Sequence, residues 1–106
     1  MAKAEIFSGG CGFVTKVEAR MRGTKCSISI ESDCRAIQSL AEKLEEVSPL
    51  QEISYKGSGS LTLKEGAEHC YHTSCPVPIG VIKVVEVEAG LALPKDVSIK
   101  FSESST

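Results

Sequence analysis

Two alternating runs joined by a short turn constrain this chain most. Phe13, Thr15, Val17, Ala19 and Met21 fall on one side of the first run, and Val14, Lys16, Glu18 and Arg20 on the other. That is the period of a half-buried strand. Cys26, Ile28 and Ile30 alternate in the same way with Ser27, Ser29 and Glu31, and Arg22-Gly23 between the runs suits a two-residue hairpin turn. A one-residue slip would turn every side chain over, so odd residues of the first strand must oppose even residues of the second. With Arg22-Gly23 as the loop, Met21 faces Thr24, Val17 faces Ile28 and Thr15 faces Ile30. The extended ladder brings Cys11 opposite Cys34 at the open end of the hairpin. A four-residue loop shifts the pairing by two positions and still leaves these cysteines near each other.

A helix is expected next. Ser32 or Asp33 supplies its N-cap, Ile37, Leu40, Ala41, Leu44 and Val47 form its apolar stripe, and Pro49 ends it. Cys34 falls in its first turn, where free amides and the helix dipole favour a thiolate. Residues 50–56 and 61–64 read as two short strands around Gly57-Ser58-Gly59-Ser60, and residues 64–74 as a loop with one helical turn near 67–70. Residues 78–89 have β-branched strand propensity but helical ends. Pro78 suits the first helical position, and Gly90 with Leu91 suits a C-terminal cap. We read a helix, with Val77 as an N-cap that offers no side-chain partner to the first amides. Val97, Ile99 and Phe101 alternate as a closing strand. Residues 1–6 read as a loose start and 102–106 as a frayed tail. The expected fold class is thus α+β. A single domain spans 1–106, with an ordered core over about 8–101 and a mainly antiparallel sheet built on an N-terminal β-hairpin. Two helices pack on one face in the order ββαβ(β)αβ.

The chemistry gathers in His69-Cys70-Tyr71-His72-Thr73-Ser74-Cys75-Pro76-Val77-Pro78, which holds two of the five cysteines and both histidines. Cys70-x4-Cys75 is within the range of zinc ligand pairs, though looser than the common two-residue spacing. The hairpin ladder adds Cys11 and Cys34 as a second pair. Four thiolates can close a tetrahedral zinc site or hold an iron–sulfur cluster, with His69 and His72 as substitute ligands. Cys26, on the apolar side of a strand, reads instead as a small core hydrophobe. A non-catalytic protein-interaction module with structural cysteines, engaging a protein partner or a homodimer, is the alternative. A thiol enzyme or redox protein is the third reading, with a histidine as base. No Cys-x-x-Cys motif is present, however, and nothing in the pattern supports an enzyme.

Composition narrows the partners. The net charge of −2, five aromatic residues and no Trp disfavour nucleic acid as a partner. Arg20, Arg22 and Lys25 at the hairpin tip form too small a patch, without aromatics, to reverse that. Ser8-Gly9-Gly10-Cys11-Gly12 exposes amides but lacks the Lys and Ser/Thr of a phosphate loop. No run approaches a membrane span, no secretory signal is visible, and a cytoplasmic setting with reduced thiols is expected.

Ser8-Gly9-Gly10-Cys11-Gly12-Phe13-Val14-Thr15-Lys16-Val17, Cys75-Pro76-Val77-Pro78 and Ala89-Gly90-Leu91-Ala92-Leu93-Pro94-Lys95-Asp96-Val97 together carry a resemblance. The chain resembles a family of small uncharacterised α+β proteins from methanogenic archaea, over residues 8–101. The resemblance implies a sheet covered by two helices and an anaerobic cytoplasm, and it implies no activity. An anaerobic cytoplasm raises the expectation of iron–sulfur chemistry. A looser analogy with iron–sulfur scaffold proteins rests on a cysteine in a glycine-rich loop and a His-Cys pair before a helix.

Overall fold

The computed structural model describes residues 1–103, and its organising element is the expected hairpin, extended by a strand at its N-terminal side. Strands β1 (Ala2–Phe7), β2 (Val14–Arg22), β3 (Lys25–Ser32) and β4 (Glu46–Val47) form one antiparallel sheet in the order β1-β2-β3-β4. Helices α1 (Arg35–Lys43), α2 (Pro49–Glu52), α3 (Leu61–His69) and α4 (Val77–Glu88) complete a single α+β domain. The fold class is the expected one, and several elements differ from the expectation.

Parity in the hairpin is as predicted, but the register is moved by two positions. Met21 opposes Cys26, Ala19 opposes Ile28, Val17 opposes Ile30 and Thr15 opposes Ser32. The loop is Gly23-Thr24 rather than Arg22-Gly23, because Arg22 pairs with Lys25. Gly23 has φ +64 and Thr24 does not have a positive φ. That order, glycine first, is the pattern of a II′ hairpin turn, which matches the twist of the flanking strands.

The expected loose start is strand β1. Ala2, Ala4 and Ile6 lie opposite Ala19, Val17 and Thr15 and are half-buried, while Lys3, Glu5 and Phe7 are exposed. The apolar face of the sheet therefore spans three strands. Helix α4 packs on β1 and β2, and α1 packs on β3. Close approach of α4 to β1 needs Gly80, since a Cβ there would overlap Ile6 Cδ1 and stand 2.8 Å from its Cγ1. Val17, Ala19, Cys26, Ile37, Leu40, Leu44, Val47, Val77, Val81, Val84 and Val85 form the core between the layers. Cys26 is fully buried, as expected of a core thiol, and burial pushes its pKa up, with nearby Glu88 adding to the shift.

Helix α1 ends at Lys43 rather than before Pro49. Beyond it, the Glu45 carbonyl accepts the Ile28 N–H at 2.9 Å, and Val47 pairs with Cys26 in β4. Val47 is still buried, so the apolar stripe is satisfied by a strand instead of a further helical turn. Pro49 stands at the first position of α2, a start rather than a stop. The strands expected over 50–56 and 61–64 are absent: residues 49–52 are helical, and α3 occupies the second stretch and most of the expected loop. Helix α3 rests on α1 and α4.

The helix expected over 78–89 is α4, one residue displaced at each end. Val77, Val81, Val84 and Val85 are buried, a helical spacing that overrides the β propensity of valine. No side chain caps its first amides. At its other end Gly90 has φ +76, and the Gly90 and Leu91 amides donate to Val87 and Glu86 carbonyls at 3.1 and 2.8 Å, closing a Schellman cap. The closing strand expected over 97–101 does not form, and residues 91–103 carry no regular structure beyond a bend or turn. Of the expected frayed tail, Ser102 and Glu103 are exposed and 104–106 lie outside the described residues.

Glu88 ties the end of α4 to the sheet. Its Oε2 accepts the Met21 N–H at 2.9 Å, and its Oε1 lies 3.4 Å from the Met1 amino group. The Met21 bond, with help from the amino group, holds the Glu88 carboxyl below the usual glutamate range. A depressed carboxylate contributes stability that is present above its unfolded pKa and lost as pH falls through its folded one. Thermal melts in acid should therefore show an early loss of Tm in the native chain that is smaller in Glu88→Gln. Parallel curves for the two proteins would refute it.

Candidate thiol cluster at three helix ends

Three cysteines stand at helix termini. Cys34 is the N-cap of α1, with its N–H donated to Ser32 Oγ at 3.2 Å. Cys70 is the C-cap of α3, its N–H donated to the Gly66 carbonyl at 2.9 Å. Cys75 precedes Pro76, the N-cap of α4. All three side chains are half-buried and packed against the core.

They lie together. Cys75 and Cys34 are both close enough to Cys70 to act on its thiol through charge. Burial first, then the neighbouring Cys75 and Cys34, push the Cys70 pKa up to about 11. At neutral pH Cys70 is therefore a thiol, a poor nucleophile by comparison with a thiolate. A cation placed among the three sulfurs would reverse the electrostatic part of this shift.

Cys11 is placed differently. The hairpin ladder ends at Thr15 and Ser32, and the chain before Val14 is the loop that turns back into β1. Cys11 closes a 3-10 turn, Gly9–Cys11, in the β1–β2 loop and is exposed. The topology still sets it at the end of the sheet where β3 runs into Cys34 and where α4 begins beside Ile6. His69 Nε2 lies 3.3 Å from Glu65 Oε2 one turn back on α3, and His72 is exposed. Among the described residues, no group of three or more His, Cys, Asp or Glu is already disposed to hold a metal ion.

The frame of the cluster depends on a residue that sequence reasoning missed. Glu52 is 3% exposed. Its Oε1 accepts Ser60 Oγ at 2.9 Å and the Thr62 N–H at 3.0 Å, and its Oε2 accepts the Leu61 N–H at 2.7 Å. Ser60 Oγ in turn accepts the Leu63 N–H at 3.1 Å as the N-cap of α3. A buried carboxylate thus satisfies the first amides of the helix that ends in Cys70. The sequence places Ser60 in a turn between two expected strands, and Glu52 lies in a stretch that alternates like a strand.

Fold and site together define a small α+β domain that gathers thiols where three helices end. The chain belongs to a family of unknown function (DUF6951), which it matches over residues 2–101. No curated protein and no solved structure matches it. No described helix is long and apolar enough to cross a membrane.

Proposed function

We propose that the protein is a small metal-binding module in which Cys34, Cys70 and Cys75 supply thiolate ligands and the β1–β2 loop supplies Cys11 as the fourth. The observation that carries this reading is that Cys34, Cys70 and Cys75, at the ends of α1, α3 and α4, are all half-buried against one core. Thiolates in that number select zinc or an iron–sulfur cluster over hard cations. Burial and mutual repulsion disfavour thiolates there without a cation, so binding releases protons and affinity rises with pH. His69 and His72 are substitute ligands, although Glu65 already engages His69. The reading carries with it the anaerobic cytoplasm of a methanogenic archaeon, a setting that favours an iron–sulfur cluster over zinc. A thiol enzyme is less well supported, because Cys70 is protonated at neutral pH.

Anaerobic titration of the full chain with Co²⁺ tests the proposal. One equivalent should bind and raise thiolate-to-cobalt charge-transfer absorption. Cys70→Ser and Cys75→Ser should each weaken binding by about tenfold or more, while the loop variant Cys11→Ser should reduce the charge-transfer intensity by one ligand's share. Absence of charge-transfer bands in the native chain across the neutral and alkaline range would overturn the reading.

A further inference from the structure

Residues 97–101 have the alternation of a strand and pair with no strand among the described residues. Val97, Ile99 and Phe101 are 66%, 83% and 96% exposed. Three aligned large apolar side chains so fully in water are costly unless something covers them. The molecule is elongated: its longest dimension is 52 Å against 29 and 27 Å, and the radius of gyration is 14.0 Å, where a compact chain of this length has about 13 Å. All residues from 91 to 103, after the Schellman cap at Gly90, are exposed.

The sheet offers a matching acceptor. Strand β1 is an edge, and its outer row of backbone groups has no strand partner among the described residues. Its two sides differ: Ala2, Ala4 and Ile6 face α4, and Lys3 and Glu5 face water. A register that sets Lys100 beside Glu5 puts Ile99 and Phe101 on the side of Ala4 and Ile6, whichever direction the strands run. Val87, seven residues past Gly80 on the stripe of α4 that follows β1, is half-buried and lies over the same side.

We infer that residues 97–101 add as a fifth strand to the β1 edge of a second copy of this chain, the two copies exchanging segments reciprocally. Main-chain bonds supply the attachment, and the alternate apolar side chains and the Lys100–Glu5 pair set the register. Two-fold exchange closes the interface and covers the β1 edge of each copy. This surface is separate from the thiol cluster and does not depend on metal binding.

Sedimentation velocity of the full chain, with reductant present to exclude disulfide dimers, tests the exchange across a concentration series. The native chain should be a dimer that dissociates on dilution. Ile99→Asp/Phe101→Asp should be monomeric and still folded, with a far-UV spectrum that loses no more than the 97–101 strand, since both side chains are solvent-exposed in the isolated domain. Glu5→Lys and Lys100→Glu should each weaken the dimer roughly three- to fivefold, and their combination should restore it. A native chain that stays monomeric overturns the inference, as does a dimer that survives the double aspartate change. Failure of the charge swap to restore affinity overturns the β1 register.

Discussion

Glu52→Ala is expected to destabilise the domain by about 3 kcal/mol, the upper range for losing charged hydrogen bonds at a buried site. The change deletes the acceptor for the Leu61 and Thr62 amides and for the Ser60 hydroxyl. Ser60 and Thr62 are buried and the Leu61 bond is partly buried, and the side chain that replaces Glu52 can accept nothing. Water entering the vacated space recovers part of the loss, which keeps the estimate below the sum of three bonds. Glu52→Gln makes the test more specific. It preserves volume and one oxygen, but its NH₂ group must face an N–H or O–H donor. Most of the alanine effect should therefore persist in glutamine. Urea denaturation checks both variants: the midpoint should fall with little change in slope. A glutamine variant as stable as the native chain would mean that the carboxylate's charge and second oxygen do not hold α3.

The same residue illustrates what was legible in the sequence and what was not. Hairpin parity was legible because a period of two over nine residues admits one buried face. The loop position was not, since Arg22-Gly23 and Gly23-Thr24 preserve the same parity and only the backbone of Gly23 decides between them. Helices α1 and α4 were legible from their apolar stripes, and α4 also from its ends, whereas the N-cap of α1 is Cys34 rather than Ser32 or Asp33 and its last residue is Lys43. Strand β1 was missed because Ala2 and Ala4 have low strand propensity, although they alternate with Lys3 and Glu5. Helix α3 was missed because its buried positions, Thr62 and Gly66, are not an apolar stripe. Its contacts are small and polar, and its start is specified by Glu52 from another element. The closing strand expected over 97–101 does not form: Val97, Ile99 and Phe101 alternate, but no strand of the domain lies beside them among the described residues. At the site, Cys34 and Cys75 were legible as helix-end residues. The placement of Cys11 was not, because the ladder that should have carried it stops at Thr15.

Gly66→Leu is expected to disturb both stability and the thiol cluster, because the α3–α4 contact that sets the Cys70–Cys75 distance passes through Gly66. A Cβ at Gly66 would stand 3.0 Å from Pro78 Cγ and 3.3 Å from Pro78 Cβ. Cys70 follows Gly66 by one helical turn and bonds to its carbonyl, and Cys75 precedes Pro78 by three residues. A glycine inside a helix costs about 1 kcal/mol relative to alanine, so the close approach carries a standing cost in α3. Alanine recovers that propensity and meets the proline ring, two effects of similar size, and Gly66→Ala should be nearly neutral. Leucine adds a side chain that the ring cannot yield to, since Pro78 is fixed in the first turn of α4. The helices must separate, at about 2–3 kcal/mol for overpacking. Separation also exposes Cys70 and removes it from Cys75, which relieves the burial and the repulsion that now push its pKa up to about 11. The thiolate fraction at neutral pH then rises, and alkylation of Cys70 by iodoacetamide should accelerate about tenfold or more. Peptide mapping of alkylation rates in the native, alanine and leucine chains measures this directly. The order expected for Cys70 is native and alanine slow, leucine fast, with buried Cys26 slow in all three under conditions where each remains folded. Equal Cys70 rates in all three would show that the Gly66–Pro78 contact does not position the thiols.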